Sequence, residues 1–191
     1  MSSILDMVQQ HLGSDGVQRI SQQLGIPPEQ AQAAIAAALP MVMGGMANQA
    51  AQPGGAEAIH QAIQSHADMP AGAPMADPGL MHGGAGGGGL IGRMLGNHHE
   101  QVQQNVSKAS TLSTEKTGKL LMMLAPVVLM ALARKHKQDG TAPTPQQLPQ
   151  VLQQGQQQAA EEAVAQHPQL GGMLGGLLNK VLGGIGSMGQ S

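Results

Sequence analysis

The sequence predicts an all-α fold of two related αα-hairpin modules, joined by a Gly/Pro-rich linker and followed by a Gly/Leu-rich C-terminal helix or tail. The 191 residues include no Phe, Trp or Tyr, so a β-sheet would lack its usual aromatic members. The apolar residues are Ala, Leu, Ile, Val and 14 Met, which suit closely packed helices. An apolar segment with a central proline also occurs twice, which indicates an internal repeat.

The first module spans residues 1–66. A short Gln-rich helix is expected to end at Leu24, with Gly25 just beyond it, where glycine accommodates the left-handed conformation that often ends helices. The next helix is expected to start at Pro27-Pro28-Glu29, because proline fits the first turn, where its missing N–H is not needed. A short helix within residues 53–66 closes the module.

Residues 67–89 are predicted to form a flexible linker, because they are rich in Gly and Pro. The glycine run within them could suggest a phosphate-binding loop. It follows no predicted strand, however, and lacks the Gly-Lys-Ser/Thr ending that holds phosphate and metal. The linker interpretation is therefore favoured.

The second module spans residues 90–138 and repeats the first, with one extra residue upstream. Because neither αα-hairpin can bury its apolar face alone, the two copies are expected to pack together. Ser113 can cap the long helix of the second copy, and prolines should kink or break both long helices. The aligned pairs are Ile26 with Leu112, Glu29 with Glu115, Pro40 with Pro126, Met46 with Leu132, and Ala47 with Ala133.

The most apolar stretch of the second module raises the question of a membrane span. It lies between Lys119 and Arg134 and has fourteen residues. A span needs about 18 to 20 residues, and shorter runs are more often buried core helices. A core helix is therefore predicted.

The C-terminal third comprises a Gln/Ala-rich linker and helix at 139–169 and a Gly/Leu-rich amphipathic tail at 170–191. Glycines four residues apart in the tail allow close approach of helices. The tail could dock on its own body, join another copy or lie on a membrane surface. The apolar stripe, and thus the candidate interaction set, is Leu170, Leu174, Leu177, Leu178, Val181, Leu182 and Ile185.

A basic cluster, Arg134, Lys135 and Lys137, follows the apolar helix of the second module. Cations there complement the negative end of the helix dipole. The alternative is contact with an anionic lipid. Nucleic acid is disfavoured as a partner, because single-strand binders stack bases on aromatic side chains and this chain has none.

Catalytic and metal-binding patterns are weak. The chain has no Cys, His98-His99 lacks a further ligand at helical spacing, and Glu161-Glu162 lies in a polar segment. These features predict a protein that is not an enzyme, with no cofactor, metal or small-molecule substrate. The N-terminus has no apolar run of signal-peptide length, so a cytoplasmic location is expected.

The stretch "GIPPEQAQAAIAAALPMVMGGMANQAAQPGGAEAI" resembles the bacterial family catalogued as domain of unknown function 937. The second copy and the Gly-Leu tail are similar to the rest of that family's pattern. The resemblance implies a small helical bacterial protein with no assigned activity and no catalytic residues to carry over. The expected function is self-association or binding to another protein; the alternative is a peripheral membrane or lipid-binding protein that uses the tail and the basic cluster.

Overall fold

A computed structural model describes residues 4–67, 89–138, 144–172 and 176, and every regular element in these ranges is helical. The all-α prediction is therefore confirmed. Two 3₁₀ turns, Gly96–His98 and Pro168–Leu170, accompany the helices. The α-helices are α1 (Ile4–Leu24), α2 (Pro28–Ala50), α3 (Gly55–Ala67), α4 (Leu90–Leu95), α5 (His99–Ser110), α6 (Thr114–Gln138) and α7 (Leu148–Gln166).

The internal repeat is visible in matching hydrogen bonds. The Ser21 hydroxyl donates to the Ile26 carbonyl oxygen at 2.6 Å. In the second copy, the Ser107 hydroxyl donates to the Leu112 carbonyl oxygen at the same distance. Because Ile26 and Leu112 are aligned residues, both copies close the turn between their helices in the same way.

Each of these turns also contains one residue in the left-handed region. Gly25 has a φ of 59°, and Thr111, the residue before Leu112, has a φ of 56°. Upstream, Gly13 interrupts α1 with a φ of 56°, and Gly96 ends α4 with a φ of 53°. The repeat thus extends upstream, with the first part of α1 corresponding to α4.

Helix α2 lies at the centre of the fold. Every residue from Ala34 to Ala47 is buried except Met41, and a helix that is apolar on all sides is typical of a core. Glycine permits close approach here. A Cβ on Gly45 would lie 2.7 Å from both Leu95 Cδ2 and Val102 Cγ2, so a larger residue would push α4 and α5 away from α2.

Helix α6 is the counterpart of α2 in the second copy. Both helices continue through their prolines, Pro40 and Pro126, so the predicted break does not occur. The Ser113 hydroxyl oxygen accepts a hydrogen bond from the Lys116 backbone N–H at 3.4 Å, which confirms the predicted cap.

Residues Thr114–Lys135 within α6 are long and apolar enough to cross a membrane, with a mean hydropathy of 1.6 in the most apolar window. The fourteen-residue count between Lys119 and Arg134 therefore underestimated the length of this apolar helix. Burial within the fold covers 72% of that window. Such burial is what a core helix requires, and Leu124, Val127, Val128 and Leu129 are fully buried.

The packing does not confirm a division into two separate hairpin modules. Residues from α1 through α7 form one continuous hydrophobic cluster. The largest contacts between the copies join α1 and α3 to α6 and α5 to α2, and α7, which follows the second copy, also packs on α2. Each long helix is therefore covered mainly by helices from outside its own copy.

Helix α7 belongs to this core, although its sequence is mostly Gln and Ala. It makes the most extensive helix contact in the structure, along α2. Leu148 and Leu152 anchor its start, and Gly155, Ala159 and Ala163 continue the buried face. In the predicted linker at 67–89, residues 68–88 lie outside the part of the chain that the structure describes.

Candidate functional site

A cleft of about 350 Å³ opens between the N-terminal part of α1, the start of α2 and the end of α7. Its apolar floor is Leu12, Val17 and Ile35. Its remaining lining residues are Gln9, Gly13, Ser14, Gln32, Gln166 and His167. The lining side chains can therefore exchange hydrogen bonds with a neutral polar group.

The rim of this cleft is closed on one side by a contact between distant parts of the chain. The Gln9 side-chain amide donates to Gln166 Oε1 at 2.9 Å. Ser14 and His167 line the same cleft, but no hydrogen bond joins their side chains in the described structure. A serine nucleophile needs a base within hydrogen-bond reach, and this arrangement does not supply one.

His11 lies beside the cleft residue Leu12 and is partly buried. Burial lowers the pKa of its imidazole below the usual 6.5, and the nearby positive charge of Arg134 lowers that pKa further. Both effects disfavour the protonated ring. The neutral form of His11 is therefore favoured next to Arg134.

The basic cluster lies in the last turns of α6. Arg134 is exposed and Lys135 is half-buried; the side chain of Lys137 lies outside what the structure describes. This location agrees with cations placed at the negative end of a helix. The exposed guanidinium of Arg134 is also open to an anion.

The start of the tail is packed on the body. Leu170 closes the second 3₁₀ turn and is only 6% exposed. Its neighbours in a small cluster are Ala36, Ala37, Ala109 and Ala163, so short side chains from α2, α5 and α7 leave room for one leucine. The other six members of the predicted stripe, Leu174, Leu177, Leu178, Val181, Leu182 and Ile185, lie outside the described residues.

The remaining polar candidates stay apart. His99 begins α5 and its Nδ1 lies 3.1 Å from the Gly96 carbonyl oxygen, while Glu161 is exposed on α7. Among the described residues, no group of three His, Cys, Asp or Glu side chains could hold a metal ion.

Sequence reasoning missed the cleft, because its walls come from segments about 150 residues apart and no local pattern marks them. Its outer residues look like ordinary solvent-exposed glutamines. The serines that tie the repeat turns were also missed, although their identical spacing from Ile26 and Leu112 was a readable signal.

A family model matches most of the chain. The family described as "Bacterial protein of unknown function (DUF937)" matches residues 6–135. This range extends from α1 almost to the end of α6 and includes both copies of the repeat. No curated protein and no solved structure matches the chain.

Proposed function

The chain belongs to the bacterial family of unknown function DUF937, and from this premise we propose that it is a non-enzymatic helical protein that acts by self-association or by binding another protein. The contact surface we propose is the apolar tail. The protein acts in the cytoplasm and needs no cofactor.

The observation that supports this proposal is how completely the body hides its own apolar side chains. Met122, at 40% exposure, is the exposed large hydrophobic residue in the described part of the chain. The body therefore offers little apolar surface to a partner. The sequence beyond Leu170, by contrast, still carries six large aliphatic residues of the predicted stripe.

The buried position of Leu170 also supports the apolar tail as the contact surface. This leucine is held among alanines of α2, α5 and α7, so the first residue of the predicted stripe has a fixed position on the body. At about 1.5 kcal/mol or more for each buried aliphatic side chain, the six residues that follow could contribute substantially to an interface. The glycines between them cost up to about 1 kcal/mol each in a helix, so the tail should gain its order on the partner.

A second candidate is a peripheral membrane or lipid-binding protein. It is favoured by the exposure of Arg134 and by the position of Lys135 in the same turn. Basic side chains beside an apolar segment attract anionic lipid surfaces. The tail would then insert into the interface instead of joining a protein.

The test deletes residues 173–191 and keeps Leu170, so that the body does not lose a buried side chain. We expect unchanged helicity of the body, and a lower sedimentation coefficient than that of the full chain at high protein concentration. A full-length control with Arg134→Gln and Lys135→Gln should associate like the natural chain. Truncated protein that assembles like the full chain would exclude the tail as the contact.

The same proteins, mixed with vesicles that contain anionic lipid, separate the two candidates. Binding that requires both the tail and the two basic side chains would favour the membrane function. Association in the absence of lipid, insensitive to the charge substitutions, would favour the protein interaction.

A further inference from the structure

The two copies of the repeat exchange their packing partners. Call residues 4–67 the first half and residues 89–172 the second half. Helices α1 and α3 of the first half pack on α6, while α5 and α7 of the second half pack on α2. Each half contacts its own long helix as well, but the other half covers most of that helix, so each half needs the other to complete its core.

Polar contacts also cross this boundary near the start of α1 and just after its end. Gln9 of the first half bonds to Gln166 of the second at 2.9 Å. The Lys116 ammonium donates to the Gly25 carbonyl oxygen at 3.4 Å. Within the second half, by comparison, the Gln103 amide donates to the Thr114 carbonyl oxygen at 2.7 Å.

We infer that a second copy of this chain is the partner, and that two chains exchange halves. The first half of one chain packs with the second half of the other, and the dimer contains two complete cores. This inference rests on the proposed function, since it specifies one way in which the protein self-associates.

The energetic basis is that the exchanged dimer contains the same contacts as the monomer. The two states differ in whether the covalent connection between the halves closes within one chain or links two chains. Exchange of identical elements is a low-cost route to a dimer, and it is favoured when the concentration of chains approaches the effective concentration within one chain.

The absence of cysteine in the natural sequence makes a direct test possible with the full-length chain. One variant carries Gln9→Cys and another carries Gln166→Cys; both positions are exposed. The two variants are unfolded together, refolded together and treated with a short bifunctional thiol cross-linker. We expect a covalent dimer that is absent from either variant alone and that increases about tenfold when the chain concentration during refolding is raised tenfold over the dilute range.

Gln103 and Thr114 provide the matched control, because both lie in the second half. A chain with both Gln103→Cys and Thr114→Cys should cross-link within itself. A mixture of the two single variants should give no covalent dimer, since exchange does not bring these residues together from different chains.

The outcomes distinguish exchange from other association. A chain that associates without the mixed Gln9–Gln166 cross-link would overturn the exchange and leave the proposed self-association standing. A mixed cross-link that disappears on deletion of residues 173–191 would assign the contact to the tail and also overturn the exchange. A chain that stays monomeric at every concentration would contradict both the exchange and self-association.

Discussion

At the scale of single residues, Gly25 and Thr111 hold the same conformation with different chemistry. Glycine adopts a positive φ without strain, whereas a β-branched residue such as threonine rarely does. Thr111 is exposed, and its hydroxyl donates to the Ser110 carbonyl oxygen at 2.7 Å. The second copy therefore carries backbone strain that the first copy avoids.

Thr111→Gly should raise the free energy of unfolding by about 0.5–1 kcal/mol, because relief of strain exceeds the added flexibility of the unfolded chain. The reverse change, Gly25→Thr, should lower it by about 1 kcal/mol. A Cβ on Gly25 would meet nothing within 4 Å, so the backbone alone causes this loss. Chemical unfolding followed by circular dichroism measures both effects, and two changes of the same sign would contradict the explanation.

His11 should make stability depend on pH. Burial and then the charge of Arg134 hold the pKa of His11 below 6.5 in the folded chain. At pH values between that lowered pKa and 6.5, the unfolded chain therefore binds more protons than the folded chain. The free energy of unfolding therefore rises with pH through this window and falls as the pH drops. His11→Gln should flatten this slope, and Arg134→Gln should raise the pKa of His11. A histidine titration by NMR with a midpoint at or above 6.5 would refute the argument.

At the scale of helices, α6 has an apolar face inside the fold and one large apolar residue that is exposed. Leu124 and Val128 are 0% exposed, whereas Met122 on the same helix is 40% exposed. The burial pattern identifies which substitutions the helix should tolerate. It also separates a core helix from one whose apolar surface faces lipid.

Val128→Asp should unfold the protein, because an unpaired charge in the core costs several kcal/mol. Met122→Asp places the same residue type on the same helix and should cost less than about 1 kcal/mol, because water still reaches it. Far-UV circular dichroism and thermal unfolding compare the two variants. A stable, fully folded Val128→Asp variant would mean that this face is a surface, and would favour the membrane candidate.

At the scale of the whole molecule, the packing of each half on the long helix of the other half makes the two halves one cooperative unit. Leu39 of α2 and Leu124 of α6 both lie in the same large hydrophobic cluster. Two halves that share one core are expected to unfold in one transition. A substitution that destabilises one half should therefore also destabilise the other.

Leu39→Ala and Leu124→Ala should each lower the free energy of unfolding by about 2–5 kcal/mol. Amide hydrogen exchange should then accelerate in both α2 and α6 for either variant, while Met122→Ala should change little. Acceleration restricted to the mutated half would show that the halves are independent modules.

The amino-acid sequence alone determined the fold class, the repeat and several helix ends. Gly25, Pro28 and Ser113 act on the backbone within a few residues of themselves, so their effects could be read locally and are confirmed by the structure. The family could be recognised for a similar reason, since its pattern lies in continuous stretches of the chain.

Only the tertiary structure decided which helices cover which, and therefore where a candidate site lies. At the cleft, Gln9 is hydrogen-bonded to Gln166, and Leu170 packs among alanines of three helices. The same holds for α7, whose buried face is largely Ala and Gly and carries too weak a hydrophobic signal to reveal a core helix. Such contacts join residues far apart in the chain, and their free energy depends on the shape and spacing of the assembled helices, which local sequence does not encode.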